Sequence, residues 1–119
     1  MNQARLTVSQ RTTADHVHVV ALAGEIDHTT TGIFRQSFAT AEGRFAPHTV
    51  LDLRAVTFVD SSGINVLVAA NNAARADHGW LRLAHTPRSV AELLHIVGLD
   101  DVIELYPTLD EALAPQPTA

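Results

Sequence analysis

"VLDLRAVTFVDSSGINVLVAA", residues 50–70, changes its period halfway through. Its first part is rich in β-branched and apolar residues and reads as strand. Thr49 to Leu53, short and apolar, has the character of a buried central strand, and Arg54 to Asp60 leads out of it. Asp60-Ser61-Ser62-Gly63 then interrupts the run. Ile64, Leu67, Val68 and Asn71 follow at helical spacing, continuing to about Ala76. A strand that turns straight into a helix is the repeating unit of an α/β sheet.

The rest of the chain extends that unit. Leu6 to Thr12 alternates weakly and predicts an edge strand, and Thr13-Ala14-Asp15 a turn. "HVHVVALA", residues 16–23, predicts a second strand, with His16 and His18 alternating on it and Gly24-Glu25-Ile26-Asp27 breaking it. Thr29, Thr30 and Thr31 offer cap hydroxyls for a helix carrying Ile33, Phe34, Phe38 and Ala41, ended by Gly43 and Pro47.

Beyond the central unit, Gly79 is a C-cap candidate and Trp80 to Ala84 alternates as a strand. Thr86-Pro87 opens a helix with Thr as cap and Pro at its first position. Val90, Leu93, Leu94 and Val97 form one buried stripe, closed by Gly98. Val102 to Tyr106 predicts a last strand, and Thr108 to Glu111 has the pattern of a capping box.

The order β-β-α-β-α-β-α-β-α predicts a single α/β domain over residues 1–114. Its sheet is mixed but mostly parallel, with an antiparallel N-terminal edge and about four helices. Residues 115–119, Pro-rich, are expected to form a flexible tail.

Composition excludes several function classes. The chain has 119 residues, a net charge of −5, eight arginines and no lysine. The arginines are scattered, so neither nucleic acid nor an anionic membrane surface is a suitable partner. The absence of cysteine removes disulfides, thiolate catalysis and Cys-ligated zinc. The seven histidines lack metal-ligand spacing, so no metal site is expected. A signal peptide and an apolar run of about 18 residues are both missing, which predicts a soluble, cytoplasmic protein.

In an open α/β sheet, ligand sites lie beyond the carboxyl ends of the parallel strands. Asp27 and the Asp60-Ser61-Ser62 corner both belong to that rim. The corner residues alone leave four uses open. They can cap the helix, cradle an anion at its N-terminus, accept a phosphate, or supply a nucleophile with His28 as base and Asp60 or Asp27 orienting it. The Gly-x-Ser-x-Gly elbow of serine hydrolases is absent, and so are the glycine-rich nucleotide motifs.

Two segments carry a family resemblance. "ALAGEIDHTT", residues 21–30, resembles the Gly-Glu-(Leu/Ile)-Asp segment of STAS domains, and residues 50–70 resemble their Asp-Ser-Ser-Gly signature. The order of elements agrees from about Leu6 to Leu113. The chain is similar to stand-alone bacterial anti-sigma factor antagonists, which are not enzymes.

That resemblance implies a partner-switching cycle. The unmodified antagonist binds an anti-sigma factor that is also a Ser/Thr kinase, and so frees a sigma factor. The kinase, holding the ATP itself, phosphorylates the serine before the glycine, and a PP2C-like phosphatase reverses this. Carried over, the acceptor is Ser62. Asp27, His28, Asp60, Ser61, Gly63, Ile64 and Asn65 are the expected partner contacts, with Gly63 letting the partner approach. The chain itself needs no cofactor, and a monomer or weak dimer is expected. After the glycine it departs from many relatives, with Ile64-Asn65-Val66 in place of Leu and a small or apolar residue.

Overall fold

The computed structural model describes residues 5–40 and 43–114. Ala41 and the expected tail 115–119 lie outside these. The elements run β1 (Leu6–Thr12), β2 (His18–Ile26), α1 (Thr31–Gln36), β3 (His48–Val59), α2 (Ser61–Ala76), β4 (Trp80–Ala84), α3 (Arg88–Ile96), a 3-10 turn (Leu99–Asp101), β5 (Glu104–Tyr106) and α4 (Leu109–Leu113). The five strands lie side by side in chain order. β1 is antiparallel to β2, and every later pair is parallel.

Because the parallel strands advance in one direction, right-handed crossovers put α1, α2 and α3 on the same face. The main core forms there. Val20, Leu22, Leu51, Leu53, Leu81 and Leu83 meet Phe34, Ile64, Leu67, Ala70, Val90 and Leu94. Each large side chain removed from water contributes about 1.5–3 kcal/mol. A smaller cluster on the opposite face packs α4, through Ala112, against Val19, Val50 and Ala84. The Arg82 guanidinium fastens that helix. It donates to the Ala112 carbonyl at 3.0 Å and lies 3.7 Å from the Trp80 ring centroid. Trp80 and Tyr106 are thus packing residues of this face.

The element order matches the sequence expectation, and several boundaries differ for identifiable reasons. β2 passes through Gly24, because the glycine's φ of +116° and β-bulges there keep the strand running where a side chain would strike the Arg5 carbonyl. β2 begins after His16, which turns with a φ of 64°, so only His18 lies on the strand. α1 ends at Gln36, well before Gly43. Phe38 is buried beyond it, stacked in a tilted pair with Phe34 at 5.3 Å. β3 continues to Val59 because β2 accompanies it that far, whereas β4 pairs only with His48–Asp52.

The C-terminal half shows similar shifts. At the end of α2 the left-handed residue is His78, with φ 58°. Gly79 serves another need, since a Cβ there would meet the Pro47 carbonyl. Pro87, not Thr86, holds the cap position of α3. Val97 is half exposed and leaves the buried stripe, which Val90 and Leu94 carry. Val102 falls after the 3-10 turn, shortening β5. Thr108 caps α4 as expected, accepting from the Glu111 N–H at 3.1 Å.

Candidate functional site at the carboxyl rim

β2 and β3 end level with each other, Ile26 opposite Val59. The next residue, Asp60, donates its N–H to the Ile26 carbonyl at 3.1 Å. Its backbone is extended, and its carboxylate accepts from the N–H groups of Ser62 at 2.8 Å and Gly63 at 3.3 Å. Asp60 is therefore the N-cap of α2, a role that stabilises a helix by about 1 kcal/mol. The capping duty is complete without either serine.

Ser61 and Ser62 occupy the first turn of α2. Ser61 is exposed and Ser62 half-buried, and among the described residues neither hydroxyl makes a hydrogen bond. His28 is exposed on the neighbouring loop and does not hydrogen-bond Ser62, so no base is engaged at the corner. The N-terminal dipole of α2, worth about half an elementary charge, faces the same rim.

Gly63 and Ile64 differ from expectation. Both are buried. A Cβ on Gly63 would sit 2.7 Å from Ile26 Cγ2 and 2.9 Å from Val59 Cγ1. The glycine lets α2 settle onto the strand ends rather than letting a partner approach. Ile64 is only 8% exposed and belongs to the main core, so it is not on an outer contact surface. The helical period explains this, because Ile64 shares the inward face with Leu67 and Asn71. Asn65 is exposed.

Asp27 is also used internally. Its side chain is 8% exposed and meets Arg5 at 3.0 Å. It accepts from the Thr29 N–H at 2.9 Å and the Thr29 hydroxyl at 2.6 Å. The Thr29 hydroxyl bond, assisted by the Arg5 charge, holds the Asp27 carboxyl below its ordinary range despite burial. Arg5 also pairs with Glu25 at 2.8 Å. Thr30 holds the N-cap position of α1 as expected, but its hydroxyl makes no capping bond; it accepts from the Asp27 N–H at 2.9 Å and donates to the Glu25 carbonyl at 2.9 Å. Asp27 is an organiser of the loop and lies beneath its surface, beside the exposed His28.

The outward face of α2 has a feature that residue-by-residue reading missed. Ser61, Asn65, Val68, Ala69, Asn72 and Ala73 are exposed, and no charge appears in the helix before Arg75. A solvated helical face ordinarily carries charges. Phe58, on β3 just before the corner, is 48% exposed. Strict strand alternation would not have found Phe58, because bulges give residues 53–59 an irregular pattern of exposure. The uncharged run in α2 was visible in the sequence.

Among the described residues, no group of His, Asp or Glu is arranged to hold a metal ion. No helix among them is long and apolar enough to cross a membrane.

The chain is similar in sequence and fold to known proteins. A family model described as "STAS domain" matches residues 9–112. The anti-sigma F factor antagonist of Paenibacillus polymyxa is 31% identical over 91 residues, 76% of this chain and 78% of that one. The anti-sigma-F factor antagonist RsfB of Mycobacterium tuberculosis is 30% identical over 106 residues, 86% of this chain and 84% of its own. A crystal structure of an anti-sigma factor antagonist from Mycobacterium paratuberculosis superposes with a TM-score of 0.79 at 31% identity, covering 91% of each chain. The motifs at the ends of β2 and β3, the sheet order and these matches agree: this chain belongs to the STAS domain family.

Proposed function

We propose that this chain is an anti-sigma factor antagonist, switched off by phosphorylation of Ser62. In this reading the unmodified corner and the outward face of α2 bind an anti-sigma factor with serine kinase activity, which frees a sigma factor. A PP2C-like phosphatase restores binding. Ser61, Asn65 and His28 belong to the contact surface, while Asp27, Asp60 and Gly63 shape it from beneath. The names of the relatives support the antagonist role.

The observation that carries the switch is the division of labour at the corner. Asp60 caps α2, so the Ser62 hydroxyl is not committed to the fold. A phosphate on Ser62 adds about −1.5 to −2 charges beside the N-terminal dipole, which tolerates an anion. The domain keeps its shape. A partner docked on an uncharged face must then desolvate a dianion, a penalty of several kcal/mol that dissociates the complex.

The test is incubation with the cognate anti-sigma factor and ATP, followed by intact mass and peptide mapping. Wild type and Ser61→Ala gain one phosphate on Ser62, and Ser62→Ala gains none. Phosphate on Ser61 would overturn the assignment of the acceptor.

A constitutive STAS interaction module is the second reading. In that reading Ser62 is only a helix cap, a duty that Asp60 already performs. Equal partner affinity of wild type and Ser62→Asp would favour it. A small serine hydrolase is the third, and reaction with a fluorophosphonate probe would favour that.

A further inference from the structure

At the opposite end of the sheet, the loop before β3 and the C-terminal end of α2 enclose a cleft of about 610 Å³. This lies within the size range of small-molecule sites, about 300–1,000 Å³. His18, Arg44, Phe45 and Asp77 are among its walls. His18 is 3% exposed. Its Nε2 bonds the Ser37 carbonyl at 2.9 Å. A carbonyl oxygen only accepts, so Nε2 carries the hydrogen, and in the neutral ring Nδ1 is left as an acceptor. Nδ1 is buried and has no hydrogen-bond partner. Buried acceptors are nearly always satisfied, so an unsatisfied nitrogen acceptor on a residue that lines the cleft marks a place for an N–H or O–H donor.

The charges around it are of both signs. Arg44 and Asp77 line the same cleft, and neither forms an ion pair among the described residues. Asp77 sits at the C-terminal end of α2, where the helix dipole also favours a cation. Phe45, 42% exposed and stacked on Phe38 at 6.0 Å, supplies an apolar wall. A guanidinium, a carboxylate with a helix C-terminus, a donor-seeking imidazole and an aromatic face together match one chemical class.

We propose that this cleft binds a small zwitterion, a free α-amino acid with an apolar side chain. Its carboxylate faces Arg44. Its ammonium faces Asp77 and His18 Nδ1. Its side chain lies along Phe45. The site stands apart from the Ser62 corner, because the 16 residues of α2 span about 24 Å at 1.5 Å per residue. Its existence therefore does not depend on the proposed phosphorylation.

Amide spectra of the full chain, titrated with each common L-amino acid in turn, test the proposal. An apolar amino acid should give saturable shifts at His16, His18, Phe45 and Asp77 and leave Ser61 and Ser62 unmoved. The amine lacking its carboxyl group and the acid lacking its amino group should each bind at least about tenfold more weakly, a loss of about 1.4 kcal/mol. Arg44→Gln and Asp77→Asn, both at exposed positions, should each weaken binding similarly while leaving the free spectrum otherwise intact. No saturable shift at about 10 mM of any amino acid, where even a Kd near 1 mM would give near-complete occupancy, would overturn the proposal. Equal binding of the acid lacking the amino group would also overturn it, reducing the cleft to an anion site.

Discussion

Replacing Gly63 by alanine separates a packing role from a contact role at the corner. The added methyl lies 2.7 Å from Ile26 Cγ2 and 2.9 Å from Val59 Cγ1. Both neighbours are β-branched, stiff about χ1, and buried at 1% and 9% exposure. They cannot swing away as a lysine end would. Forcing a methylene-sized group into such a core costs about 1–3 kcal/mol. Alanine recovers up to about 1 kcal/mol over glycine within a helix. The net expectation is a loss of about 1 kcal/mol, read as a lower urea midpoint at unchanged slope. Val59→Ala removes one of the two obstructing methyls, so the double variant should be less destabilised than the sum of the singles, by at least about 0.5 kcal/mol. A Gly63→Ala protein as stable as wild type, or strictly additive singles, would refute the claim that glycine is needed for helix-to-strand contact.

Three further outcomes follow from the same geometry. Asp60→Ala should lose about 1 kcal/mol of stability through the lost cap, whereas Ser62→Ala should stay within about 0.5 kcal/mol of wild type; chemical denaturation compares them. The Asp27 carboxyl is held below its ordinary range, first by the Thr29 hydroxyl and then by Arg5. It stabilises the fold above the unfolded pKa of about 3.9, and this is lost as pH falls through the lower folded value. Asp27→Asn should therefore be less stable than wild type at pH 7, with the gap closing in acid melts. His95 behaves in the opposite sense, because its bond to Asp100 at 2.8 Å raises its pKa. Its contribution is present below about pH 6.5 and disappears as pH rises through the folded value. His95→Gln should narrow the difference between melts at pH 5.5 and 8.5, modestly, as the pair is exposed.

The fold was legible in the sequence because each element carried its own period and punctuation. "WLRLA" alternates between bracketing turns, and β4 occupies the same five residues. The corner was legible as a polar break between two periods. Which residue capped the helix was not, because Asp60, Ser61 and Ser62 are all good caps, and only backbone conformation selects among them. Asp27 was placed on the correct rim but on the wrong side of its surface. Its carboxylate pairs with Arg5, 22 positions earlier, and no local pattern announces that pairing. Ile64 was misassigned although its helical spacing from Leu67 and Asn71 already pointed inward. Gly24 was read as a break because a local rule cannot know that a partner strand continues beside it.

What matters most is whether Ser62 can change a contact without changing the fold. Its most direct test is the affinity of the anti-sigma factor for the unmodified chain and for the chain phosphorylated at Ser62, with amide spectra recorded for both. Phosphorylation is expected to weaken binding at least about a hundredfold, equivalent to about 2.8 kcal/mol, while spectral changes stay within the corner and the first turn of α2. Equal affinity, or amide shifts spread through the sheet, would contradict it.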